Sequence, residues 1–141
     1  VFITGRVKDY FKTIQGKFVA PVPIENDFSK NEWTEQTCLL GRGFSKTVIV
    51  AVLSEIAQQQ DEETVVNALR DRIDRINKSV DHHARVGALI LAREPWTIEN
   101  EILTPTLKIR REEVEKRFGE RARELAHDAA VKHELLVEWM N

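Results

Sequence analysis

The chain has 141 residues, 42% of them hydrophobic and 31% charged, with a formal net charge of -2. That length suits one domain with its own core, burying roughly 68–70% of the unfolded surface. The near-neutral charge gives no electrostatic case for nucleic acid or an anionic membrane, no apolar run approaches a bilayer span, and the single cysteine, Cys38, excludes an internal disulfide and favours a reducing compartment.

The chain opens on Val1-Phe2-Ile3, without an initiator Met or a basic-then-apolar leader. A strand-like run with no turn before it reads as a domain excised from a longer polypeptide. Tyr10–Ile14 and Phe18–Ala20 read as short strands around Gln15-Gly16-Lys17, where glycine supplies the positive φ of a tight hairpin. Pro21 and Pro23 stop the second strand and start a short helix through Asn31. Thr34–Leu40 alternates loosely up to Gly41, as a strand does. Thr47–Leu53 is β-branched and almost wholly apolar, which suits a central strand.

The period then changes. Val65, Val66, Leu69, Ile73 and Ile76 recur at helical spacing behind Asp61, Glu62 and Glu63, acids that favour the helix dipole. Val86–Ala92 is again a buried strand, Pro95 ends it, and Trp96–Pro105 reads as loop with at most a short strand. A last helix begins near Arg110, with Val114, Phe118, Ala122 and Leu125 on one face. Gly119 is a candidate break, after which Ala129, Leu135 and Leu136 continue the helical pattern. The expected fold is α+β, one compact domain over residues 1–141. It comprises an N-terminal β-hairpin, a central mostly antiparallel or mixed sheet of about three strands, and flanking helices.

Several apparent motifs fail on their chemistry. Gly41-Arg42-Gly43-Phe44-Ser45-Lys46-Thr47 has the look of a phosphate loop. Such a loop needs glycine before its lysine and a helix after it, whereas Ser45 precedes Lys46 here and a strand follows, so a turn between strands is expected. His82 and His83 are adjacent and point apart, and neither they nor His127 and His133 have a partner at i+3 or i+4, so no metal site is expected. Cys38 reads as a small apolar residue on its strand. On charge alone, Lys108–Arg111 followed by Glu112 and Glu113 is a solvated helix start.

Two segments stand apart. One is Gly5-Arg6-Val7-Lys8-Asp9-Tyr10-Phe11-Lys12 running into Gly16-Lys17-Phe18-Val19-Ala20-Pro21 and Ile24-Glu25. The other is Trp96-Thr97-Ile98-Glu99-Asn100, then Leu103-Thr104-Pro105-Thr106-Leu107-Lys108-Ile109-Arg110-Arg111. In this order and spacing they resemble the two signature segments of the small C-terminal domain of the adenylate-forming superfamily, which includes acyl-CoA synthetases, luciferases and peptide-synthetase adenylation domains. The Thr-Pro-Thr-Leu-Lys form is most similar to long-chain fatty acid–CoA ligases. Leu107 replaces a glycine common in the superfamily, and Glu101 stands where a small residue is usual.

The resemblance implies a part in a two-step reaction, in which a carboxylate is joined to ATP and the CoA thiol then attacks the acyl-AMP after the small domain rotates. It places Lys108 as the adenylation lysine, whose ammonium offsets the repulsion between carboxylate and α-phosphate. Lys8, with Asp9 as the alternative, falls at the hinge. Arg6 resembles the residue reaching the nucleotide across the domain boundary. The hairpin at Gly16, Lys17 and Phe18 would line the pantetheine tunnel.

By the same resemblance, the partners are a large N-terminal domain of the same polypeptide and a fatty or other carboxylic acid. ATP, Mg2+ and CoA serve the full-length enzyme, with none held tightly by this chain. The expected setting is the cytoplasm, with peripheral membrane contact left to the full-length enzyme. The large domain's phosphate loop and acid pocket are absent, so the isolated chain is expected to be inactive. Two alternatives stay open: an adenylating enzyme with another acid or a carrier-protein acceptor, and a non-catalytic module that binds a protein.

Overall fold

The computed structural model describes residues 10–80, 84–106, 108–132 and 134–140. A small antiparallel hairpin comes first, β1 (Phe11–Lys12) pairing with β2 (Phe18–Val19). Helix α1 (Pro21–Phe28) follows, with proline in its first turn, where the ring costs no hydrogen bond. Among the described residues the main sheet has four strands, β3 (Thr34–Leu40), β4 (Thr47–Leu53), β5 (Val86–Ala92) and β6 (Leu136–Met140), in that spatial order. The β3–β4 pair is antiparallel, while β4–β5 and β5–β6 are parallel, so the sheet is mixed.

The parallel crossovers are helical. A short turn of helix, α2 (Glu55–Gln58), and the long α3 (Glu62–Ser79) join β4 to β5. Ser54 caps α2, accepting from the Ala57 amide at 3.2 Å. The other crossover, from β5 to β6, runs through α4 (Arg111–Lys132). Every residue of β4 and β5 is buried, because the sheet is covered on both faces. On one side Leu39, Ile49, Ala51, Leu89 and Leu91 pack against Phe28 of α1 and the Val65, Leu69, Ile73 and Ile76 stripe of α3. On the other, Cys38, Leu40, Val48, Val50 and Ile90 meet Val114, Phe118, Ala122 and Leu125 of α4, together with Trp96 and Leu103.

The strands β3, β4 and β5 occupy the segments the sequence predicts, and the architecture is the expected α+β. Two details differ. The sheet has four strands rather than about three, because residues 136–140 form a strand and not a continuation of the last helix. Val137 and Trp139 pack on the α3 side while Leu136 packs on the α4 side, which is the two-residue alternation of a strand. Trp139 anchors the C-terminal segment, with the Arg93 guanidinium 4.6 Å from its ring centre. Nor does Gly119 break α4, which runs through it for 22 residues. Among the described residues no helix is long and apolar enough to cross a membrane.

Candidate functional site around Lys108 and the N-terminal hairpin

The hairpin forms as its glycine requires. Gly16 has φ of +79°, a left-handed conformation that side chains resist, and its amide donates to Thr13 O at 2.9 Å. Two further bonds seat the hairpin on the β3–β4 connection: Gly43 N–H to Lys12 O at 2.8 Å and Ile14 N–H to Phe44 O at 3.0 Å. Gly41 allows that approach, since a Cβ there would lie 2.5 Å from the Phe11 ring. Lys17 and Phe18 are exposed on the hairpin, with Lys12 Nζ 5.0 Å from the Phe18 ring centre. The phosphate-loop look-alike is thus the turn between β3 and β4, as expected.

Lys108 belongs to a loop that has little regular structure but many backbone ties. Asn100 knots its start, its side-chain oxygen accepting from the Thr97 and Ile102 amides at 3.0 and 3.2 Å. Glu101 beside it adopts φ of 70°, a left-handed conformation that side chains resist. Leu103 and Ile109 form an antiparallel bridge that pinches the turn. Within it, Thr104 N–H donates to Lys108 O at 2.9 Å and Lys108 N–H to Thr104 Oγ1 at 3.1 Å. The backbone of Lys108 is therefore fixed while its side chain is exposed.

Beside the loop lies an open cleft of about 440 Å³, bordered by Glu25, Thr37, Cys38, Leu103, Lys108 and Arg111. Burial pushes the Cys38 thiol up, with Arg111 pulling in the opposite direction, so this cysteine is a neutral packing residue rather than a nucleophile. Among the described residues no group of three or more His, Cys, Asp or Glu side chains could hold a metal ion.

Lys108 and the hairpin are not brought together. The hairpin sits on the turn after β3, whereas Lys108 lies beside the earlier half of β3 and α1. The candidate nucleotide contact Arg6 and the hinge candidates Lys8 and Asp9 lie outside the described residues.

Sequence reasoning missed what anchors the Lys108 loop. Gln36 holds the backbone of Trp96 reciprocally, at 2.9 and 2.7 Å. Arg111, read on charge as part of a solvated helix start, instead forms a half-buried ion pair with Glu25 at 2.7 Å. The available signal was Glu25 itself, an acid next to the buried Ile24 on a short helix whose inner face is otherwise apolar.

The family of AMP-binding enzyme C-terminal domains has a sequence model that matches residues 8–129. The chain belongs to that family. It is 31% identical over 143 residues to fatty acyl-CoA synthetase B of Dictyostelium discoideum, a match covering 87% of this chain and 21% of that protein. It is 28% identical to the peroxisomal long chain acyl-CoA synthetase 6 of Arabidopsis thaliana, covering 84% of this chain and 20% of that protein. Among solved structures it resembles the A domain of carboxylic acid reductase from Segniliparus rugosus, in complex with AMP and a co-purified carboxylic acid. That similarity has a TM-score of 0.73 at 29% identity and covers 89% of this chain and 21% of that one. The chain therefore spans about a fifth of the length of these relatives.

Proposed function

We propose that this chain is the C-terminal domain, over residues 1–141 as one unit, of an AMP-forming acyl-CoA synthetase acting on a fatty acid. Lys108 is its adenylation lysine. The observation that carries this reading is an exposed ammonium on a turn pinned by backbone bonds at the rim of an open cleft. In the first step a carboxylate oxygen forms a bond to the α-phosphorus of ATP and the bond to pyrophosphate breaks. Two anions approach each other, and a positioned ammonium lowers the cost of the charge that gathers between them. A lysine on an untethered loop would be a poorer choice, since its backbone would have to be placed anew in each turnover.

In the second step the CoA sulfur attacks the acyl carbonyl and AMP leaves. The Gly16 hairpin, exposed and seated on the β3–β4 turn, suits the wall of a passage for the pantetheine arm. Lys8 or Asp9 serves as the hinge between the two arrangements, and Arg6 as the contact to the nucleotide from this side. The large N-terminal domain of the same polypeptide supplies the acid pocket and the remaining nucleotide contacts. Mg2+ bound with ATP would draw charge from the phosphates, and its ligands are assigned to that large domain. A cytoplasmic enzyme, with any membrane contact made peripherally through the large domain, fits this assignment.

The test is Lys108→Ala in the whole polypeptide that carries this chain. Pyrophosphate release with a fatty acid is expected to fall by about 100- to 1,000-fold. Thioester formation from supplied acyl-AMP and CoA should be largely kept. Equal rates for variant and wild type in both assays would make Lys108 a surface lysine and favour a non-catalytic binding module. Offering CoA and a pantetheine-bearing carrier protein side by side in the second assay identifies the acceptor.

A further inference from the structure

Lys108 sits outside regular secondary structure, so its placement depends on the anchors at the two ends of its loop. Upstream, Gln36 on β3 clasps the backbone of Trp96. Downstream stands Arg111, the first residue of α4 and three positions after Lys108. Its Nη1 donates to Glu25 Oε2 at 2.7 Å and to Leu39 O at 2.8 Å, and its Nη2 reaches Glu25 Oε1 at 3.3 Å. Glu25 Oε2 also accepts the Leu39 amide at 2.6 Å.

One ion pair thus joins three elements, α1, β3 and the start of α4. It also closes the outer edge of β3 at Leu39, where both backbone groups point away from β4. The planar guanidinium makes this possible, because its fixed fork serves a carboxylate and a carbonyl at once, which an ammonium does with less geometric control. With side chains only 22% and 15% exposed, the pair is shielded enough to hold one geometry.

We propose, on the reading that Lys108 serves the adenylation step, that Glu25 and Arg111 are positioning residues for that lysine. They fix the start of α4 against α1 and the edge of β3, so the backbone from which the Lys108 ammonium projects is held in place. Among the described residues the contacts of the pair run to α1, β3 and the start of α4 rather than to the Gly16 hairpin, so the adenylation step is expected to depend on it more than the acceptor step.

The experiment uses the whole polypeptide that carries this chain, with Arg111→Met, Arg111→Lys and Glu25→Gln set beside Lys108→Ala. Pyrophosphate release at saturating ATP is expected to drop about 10- to 100-fold in Arg111→Met, the scale of a misplacement near 1 Å. The KM for ATP and the thioester step from acyl-AMP should stay within about twofold. Arg111→Lys should recover part of the rate. Adding Glu25→Gln to Arg111→Met should cost little more, because the two act as a unit. If Arg111→Met does not fold, Glu25→Gln and Arg111→Lys carry the same comparison.

Unchanged adenylation in a folded Arg111 variant would overturn the proposal. So would an equal fall of both half-reactions with the unfolding temperature, which would make the pair a structural tie. If Lys108→Ala itself leaves adenylation intact, the reading of Lys108 fails and this proposal with it. A loss in Lys108→Ala with none in the Arg111 variants defeats only the pair.

Discussion

Cys38 shows how a single side chain couples to its surroundings. It is buried on β3 with Arg111 Nη1 3.4 Å from its sulfur, and burial keeps the thiol neutral in the folded protein. The unfolded chain would release that proton near pH ~8.5. The folded value is therefore raised above the unfolded one, so this contribution to stability is full below about pH 8.5 and is lost as the pH climbs past it. Between about pH 8.5 and 10.5 the wild type should lose stability more steeply than Cys38→Ala, by up to about 1.4 kcal/mol per pH unit. Urea melts of both proteins across that range read the difference, and parallel curves would mean that the thiol ionises as freely in the folded state. The same carboxylate–guanidinium pair that passes beside this sulfur was invisible at the level of residues in sequence. Glu25 and Arg111 are 86 positions apart, and nothing in either local pattern names the other.

At the scale of elements, α4 gives a sharp expectation. Gly119 lies inside the helix, has an ordinary negative φ and offers room for a methyl group, with the nearest foreign atom, Glu115 Cβ, at 3.9 Å. Glycine there adds only conformational freedom to the unfolded chain. Gly119→Ala should raise stability by about 0.5–1 kcal/mol, measured by the same urea melts. A loss instead would show that the backbone at this point needs the absence of a side chain. The element boundaries also show what was legible. β4 and β5 could be read because apolar runs buried on both faces leave an unmistakable block, and β3 from its loose alternation up to Gly41. The hairpin was legible from one glycine. By contrast, β6 escaped because Leu135 and Leu136 also satisfy a helical repeat, and its alternation is muted by Glu138, which pairs with Arg121 of α4 rather than facing solvent freely. The four residues of α2 are too few to carry a period at all.

For the molecule as a whole, the family and the position of Lys108 could be read from two short segments, while the means of holding Lys108 could not. Lys108 states its own chemistry, whereas Gln36, outside the two segments, and Glu25 and Arg111, within them, acquire an anchoring role only when the fold brings distant loops together. The sheet itself divides the protein into interior and periphery. β4 and β5 are flanked by strands and covered by helices on both sides, whereas the Lys108 turn is tied by a handful of bonds at the surface. Placed in deuterium oxide, the chain should keep two clocks. The amides of Val48–Val52 and Ala88–Leu91 should exchange only when the whole domain opens, and those of residues 102–104 and 108–110 should exchange orders of magnitude sooner, by local opening. Mass spectrometry of peptic fragments would read both rates. That contrast separates two timescales: the ties of the turn hold its geometry through a single turnover, while its rarer openings never disturb the interior on which it rests.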